Sequence, residues 1–397
     1  MNKNLCRLFS IAEKQTRHIV GLMSGTSLDG LDIALCAIEG NGLNTKVNLK
    51  QFATIPYSKD VKEKIKKVFA KEKVDFGYLI LLNGWIGKLH GRWIKECLNN
   101  WNVGAEEVDI IASHGQTVFH YPKIFHGEEE FGDATLQIGD GDHIAVETGI
   151  ITISDFRQKH IAAGGEGAPL ALYGDYYLFS KHGENRVLLN MGGISNFTYL
   201  PGSLNVTEVM VTDTGPGNTL LDAFARQLFK KDFDEDASLA SLGKVNDGLL
   251  RALKENSFFT APFPKTTGPE LFNKSYVETA QQLSSTTDLL PYDIMATLTR
   301  FSADTIVDAL QKALNKNTEY KIYASGGGAH NPLLVKWIQE QLPGSEIRTT
   351  NELGINGDAK EAVLFAVLAN ETVIGAPVNF ERKGMPAITM GKISFPF

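Results

Sequence analysis

Cysteine is scarce in this 397-residue chain, and Cys6, Cys36 and Cys97 stand apart with no C-x-x-C pair. That excludes a disulfide framework and a zinc ribbon and suits a reducing compartment. No apolar run reaches the roughly 18 residues of a membrane span. The opening MNKNLCRLFSIAEKQTRH is interrupted by Arg7 and ended by Glu13 and Lys14, too short and too charged for a signal peptide, so a soluble cytoplasmic protein is expected. Long basic runs are missing as well. With 39 Lys and Arg against 46 Asp and Glu, the net charge of −7 speaks against nucleic acid or an anionic membrane as partner. No G-x-x-x-x-G-K-[ST] occurs, and the triple glycine at 326–328 is not G-x-G-x-x-G, so neither a Walker A loop nor a Rossmann turn is supported.

What is present is one device used twice. Ile19, Val20, Leu22 and Met23 lead into Ser24-Gly25-Thr26-Ser27-Leu28-Asp29-Gly30, and Leu31, Asp32, Ile33, Ala34 and Leu35 follow. The grammar returns 167 residues after Gly25, at Gly192: Val187, Leu188 and Leu189 precede Met191-Gly192-Gly193-Ile194-Ser195-Asn196, then Phe197, Thr198 and Tyr199. Each reads as a β-hairpin whose tip exposes backbone N–H groups and hydroxyls to an anion. Glycine with Ser or Asn also makes ordinary turns. The repetition at domain spacing, followed by Asp213-Thr214-Gly215-Pro216-Gly217-Asn218, favours phosphate binding.

Around the hairpins, strands alternate with helical periodicity. Helices are expected over 58–71, 76–99, 219–229, 295–314 and 359–373, and strands over 108–112, 135–138, 150–154, 207–212 and 321–324. This is the pattern of an α/β protein whose sheets are covered by helices. The length suits two or three domains, and Gly164-Gly165-Glu166-Gly167-Ala168-Pro169 is the expected crossing between them.

Several side chains are candidates for chemistry. Asp213 follows an apolar strand, where α/β proteins bind ligands, and is a candidate general base; the alternative is that it caps the following turn. Asp29 or Asp32 could hold Mg²⁺ through water, since that ion takes one or two carboxylates besides phosphates, or could simply shape the turn. Gly326, Gly327 and Gly328, between a strand and a helix, would either pack a tight turn or let a nucleotide approach the backbone. His114 and Gln116, at a strand end, suit substrate binding, as do Asp155 and Arg157, a carboxylate and a fork donor. His114, His120 and His126 recur every six residues, but Tyr121-Pro122 prevents a shared face and argues against zinc. Ser113-His114 lacks the G-x-S-x-G elbow of a serine hydrolase.

Eight segments together, 24–30, 113–117, 135–139, 155–157, 165–170, 190–196, 213–218 and 325–328, resemble the anhydro-N-acetylmuramic acid kinases of the actin, hexokinase and Hsp70 ATPase superfamily. The resemblance runs from Gly21 to about Ser394. It implies a two-lobed, duplicated ribonuclease-H-like α/β fold with ATP in a central cleft, the lobes being 1–160 plus 378–397 and 161–377. It implies phosphates on Gly25 to Asp32, further nucleotide contacts at Gly192, Gly193, Asn196 and Gly326 to Gly328, and Asp213 as base. The implied reaction opens the 1,6-anhydro bridge with water and phosphorylates O6, using ATP and Mg²⁺, for cell-wall recycling. Two departures are an extension before Arg17 and an acidic 120–133 segment. Readings left beside it are a levoglucosan-type anhydrosugar kinase, an ATP-driven binding module and a peptidoglycan hydrolase. The oligomeric state, a homodimer included, is left open.

Overall fold

The computed structural model describes residues 2–314, 319–355, 357–377 and 386–397. The chain forms two compact units, Met1–Phe179 with Asp358–Phe397, and Ser180–Gly357. The crossings expected after 160 and before 378 therefore fall elsewhere. The glycine-rich 164–169 stretch lies inside the first unit, and the chain leaves through the helix Ala171–Phe179, which shows no break in composition. Of the 378–397 stretch assigned to the first lobe, residues 378–385 lie outside the described residues.

In the first unit the strands are β1 (Thr16–Ser24), β2 (Gly30–Glu39), β3 (Lys46–Pro56), β4 (Ile110–Tyr121), β5 (Ala134–Ile138) and β6 (Ile151–Ser154). β1, β2 and β3 form an antiparallel meander, and β4 joins β1 in parallel, followed by β6. β1 carries the nearly continuous apolar run of a strand covered on both faces. One cover is the helix Phe76–Asn100, whose Leu82, Ile86 and Ile94 enter a core with Val20, Leu22, Ile33, Leu35 and Ile111. Another is the helix Lys360–Ile374, buried all round from Ala362 to Glu371 and packed over β1, β2 and β4. Expected to fall in the second lobe, it completes the first.

The second unit repeats the order. Its strands are β7 (Arg186–Met191), β8 (Ile194–Leu200), β9 (Met210–Pro216), β10 (Lys321–Ser325) and β11 (Ile347–Thr349). β7, β8 and β9 are an antiparallel meander, β10 runs parallel to β7, and β11 parallel to β10. Both units thus share one plan, three antiparallel strands with two parallel strands beside the first, which is the ribonuclease-H-like order. The expected duplicated α/β fold is present. The final strand, β12 (Lys392–Ser394), returns to pair with β6 in the first unit.

The strand expected over 207–212 instead starts at Met210 and runs to Pro216, so Asp213 sits within β9 and not at its end. The helix expected over 219–229 is α only for Asn218–Phe224, then turns π-helical over Ala225–Phe229.

Candidate functional site

The first hairpin is built to present backbone. At its tip Thr26, Ser27 and Asp29 are exposed, while Leu28 and Leu31 are 5% and 1% exposed and belong to the core. Leu28 takes a left-handed φ of 58°, which folds its side chain under the turn while the chain reverses. Gly30 packs on the Ile55 backbone, leaving no room for a Cβ. Among the described residues, no protein acceptor takes the N–H of Thr26, Ser27, Leu28 or Asp29.

Asp32 accepts a 2.6 Å hydrogen bond from the Thr54 hydroxyl. Burial raises its carboxyl above the usual range, the Thr54 bond opposes this, and the negative charges of Asp358 and Asp29 add to it. Among the described residues no three His, Cys, Asp or Glu side chains form a metal cage. One or two carboxylates with their remaining positions left to water and phosphate match what Mg²⁺ accepts, so Asp32 or Asp29 fits that ion.

His114 and Gln116 are 2% and 0% exposed. Gln116 spends its whole amide on protein, donating to the carbonyls of Gly25 (2.8 Å) and Thr117 (2.9 Å) and accepting from Ser24 Oγ (2.6 Å). With both amide hydrogens spent and no surface exposed, Gln116 serves the protein and is not the substrate ligand it was expected to be. His114 is likewise occupied. Burial, then the Arg157 charge, holds it well below the ordinary histidine value, so the ring is neutral. Its Nδ1–H faces the carbonyls of Gly115 (2.8 Å) and Ser24 (3.3 Å), and its Nε2 accepts from Arg157 Nε–H at 2.7 Å.

Arg157 is oriented by that imidazole and by the Gly167 carbonyl, to which Nη1 donates at 2.8 Å. Burial lowers its pKa to about 10, with Glu361 opposing, and it stays charged. Its Nη2 has no protein acceptor among the described residues. Asp155, at a left-handed φ of 57°, instead pairs with Lys392 at 2.9 Å. The acidic 120–133 segment is the connection from β4 to β5. It is held by Lys123 N–H on Asp133 (2.8 Å) and by His126 Nε2 at the Gly132 carbonyl (3.1 Å), which gives His126 a structural use.

In the second unit three glycine turns meet. The Gly192 carbonyl accepts from Asn218 N–H (2.8 Å), and the Gly193 carbonyl from Gly217 N–H (2.8 Å) and Thr219 N–H (3.1 Å), so the hairpin caps the helix Asn218–Phe224. A Cβ on Gly326, at φ 78°, would meet Asn190 Oδ1 at 2.7 Å and Met191 C at 2.8 Å, and one on Gly328 would meet Met191 Cβ at 2.7 Å. Close packing by itself accounts for these two glycines.

Beside these turns Asn196 pairs across the ladder with Asp213. The Asp213 N–H donates to the Lys265 carbonyl (2.9 Å), and its Oδ2 accepts from Thr267 N–H (2.8 Å). Burial raises the carboxyl to about 6, the Thr267 bond holds it back, and Glu270 adds repulsion. A carboxyl poised near neutrality, rather than one bound into a turn, is what a general base requires. Sequence reasoning missed Lys265, Thr267 and Glu270, which the fold of the second unit brings beside Asp213, and Glu361, whose charge acts on Arg157 in the first unit. Each comes from a segment distant in sequence from its partner, and only the fold joins them.

A family model for anhydro-N-acetylmuramic acid kinase matches residues 17–391. A protein of that name from Pseudoalteromonas atlantica is 55% identical over 400 residues, covering 100% of both chains. One from Pseudoalteromonas translucida is 51% identical, again over 100% of both. Another, from Caldanaerobacter subterraneus subsp. tengcongensis, is 39% identical over 98% of this chain and 99% of its own. Relatives matched end to end at such identity leave one assignment: the chain belongs to the anhydro-N-acetylmuramic acid kinase family.

Proposed function

We propose that this protein is an ATP-dependent kinase that opens the 1,6-anhydro ring of anhydro-N-acetylmuramic acid with water and phosphorylates O6, giving N-acetylmuramic acid 6-phosphate and ADP. The observation that carries the reading is the half-buried Asp213 carboxyl, oriented by Thr267 and raised to about 6. Asp213 takes a proton from water, whose oxygen bonds to the anomeric carbon. The bond from that carbon to the bridge oxygen breaks, and the bridge oxygen attacks the γ-phosphorus as ADP leaves; Asp213 then releases its proton.

The free N–H groups of the Gly25–Asp29 turn suit the phosphates, and the 192–193 and 326–328 turns suit the rest of the nucleotide. Mg²⁺, held through Asp32 or Asp29, would spread charge on the transferring phosphoryl group. Arg157, with Nη2 unspent, is assigned to the lactyl carboxylate. The reaction belongs to cell-wall recycling and, drawing on ATP, to the cytoplasm; among the described residues no helix is long and apolar enough to cross a membrane. Incubation with ATP and the anhydrosugar in ¹⁸O water tests the reading. One label at the anomeric hydroxyl and none in the phosphate ester is expected, and a product without anomeric label sinks the hydrolytic step.

A further inference from the structure

Beneath the first hairpin lies a buried run of hydrogen bonds whose direction can be worked out. Gln116 accepts from Ser24 Oγ, so the single Ser24 proton is committed there or to the Gly30 carbonyl at 3.0 Å. The 2.6 Å contact between Ser24 Oγ and the Tyr57 hydroxyl must then be donated by Tyr57. The tyrosine oxygen is left to accept, and its neighbour at 3.1 Å is His90 Nε2, which carries the proton. His90 Nδ1 is buried without a partner among the described residues, as an imidazole protonated on Nε2 alone would have it, and burial holds the ring neutral with a pKa of about 3. Donation thus runs from His90 to Tyr57, Ser24 and Gln116, and ends on the Gly25 carbonyl.

That last bond sets a direction at the surface. A trans peptide is planar, with C=O and N–H opposed. Pulling the Gly25 oxygen inward turns the Thr26 N–H outward, and Thr26 is exposed with that N–H unclaimed among the described residues. The second hairpin achieves the same by other means. There the Asn218 N–H holds the Gly192 carbonyl, which turns the Gly193 N–H the opposite way.

We propose that Gln116 is a positioning residue that fixes the Gly25–Thr26 peptide with its N–H aimed at the phosphates of the bound nucleotide. This rests on the reading of the first hairpin as a phosphate site. Binding of a β,γ-imido ATP analogue and of adenosine to the full-length wild type and to Gln116→Leu separates the two ideas. Gln116→Leu should weaken the analogue by about 10- to 100-fold, the worth of a hydrogen bond to a charged group, and leave adenosine unchanged. Gln116→Glu, which sets a carboxylate against two carbonyls, should lose at least as much. Equal losses on both ligands, or none on the analogue, overturn the proposal. A wild type that binds the analogue no better than adenosine removes the phosphate site itself, and the proposal with it. If neither variant folds, amide exchange on the wild type decides: the Thr26 amide should be slowed by the analogue and not by adenosine, and indifference to both refutes the aim assigned to it.

Discussion

In the proposed reaction Asp213 and Arg157 carry the chemistry at the scale of single residues, and each role makes a measurable claim. Asp213 must be ionised to accept a proton, so kcat/KM should rise with pH through a limb near 6 and fall about tenfold per unit below it. Glu270→Gln removes a repulsive charge, lowers the Asp213 pKa and should carry the limb to lower pH. Asp213→Asn should cut turnover by roughly 10² to 10⁴ with nucleotide affinity kept. An unmoved limb in the first variant, or near-normal turnover in the second, would return Asp213 to a structural role. Arg157→Ala should raise KM for anhydro-N-acetylmuramic acid by roughly 10- to 100-fold but barely alter that for levoglucosan, which lacks the carboxylate. Similar losses on both sugars would put Arg157 on a ring hydroxyl instead.

Between elements, the contact that decides most is a helix laid on a glycine. A Cβ on Gly21 would fall inside the Ala362 carbonyl, which is backbone and has no rotamer to yield. Gly21→Ala should therefore push the helix Lys360–Ile374 off β1 and cost at or above about 3 kcal/mol, read as a depressed denaturation midpoint. A midpoint within error of wild type would mean the helix sits elsewhere. Gly21 was unremarked in the sequence, because a glycine in a strand says nothing of what crosses it. The hairpins were legible for the opposite reason: apolar runs flanking glycine and hydroxyl turns specify their own local pairing. Gln116 was visible as a polar group at a strand end, but its direction depends on Ser24 and Tyr57, far away in sequence. Asp213 was legible as a candidate although its strand was placed too early, since a carboxylate before Thr-Gly-Pro-Gly stands out under either register.

For the molecule as a whole, the domain crossings were the part composition concealed. The glycine-rich 164–169 stretch looks like a linker but serves Arg157 and His160 inside the first unit, where Gly167 bonds both. A chain stopped after Gly357 lacks the helix and strand that complete that unit, while the second unit keeps its own cores around Phe301 and Val187. Amide exchange on such a truncation should show protection lost across β1 and β4 and kept across β7 to β9; protection kept in both would mean the helix Lys360–Ile374 is dispensable. The same arrangement orders events at the ribosome. Residues 180–357 emerge as one uninterrupted piece that can fold as soon as it is clear of the exit tunnel. The first unit, by contrast, must wait with an uncovered sheet face until the helix Lys360–Ile374, made after the second unit, reaches it. Of the two units, the one begun first is the one that finishes folding last, and it is there that a nascent chain needs shielding from aggregation.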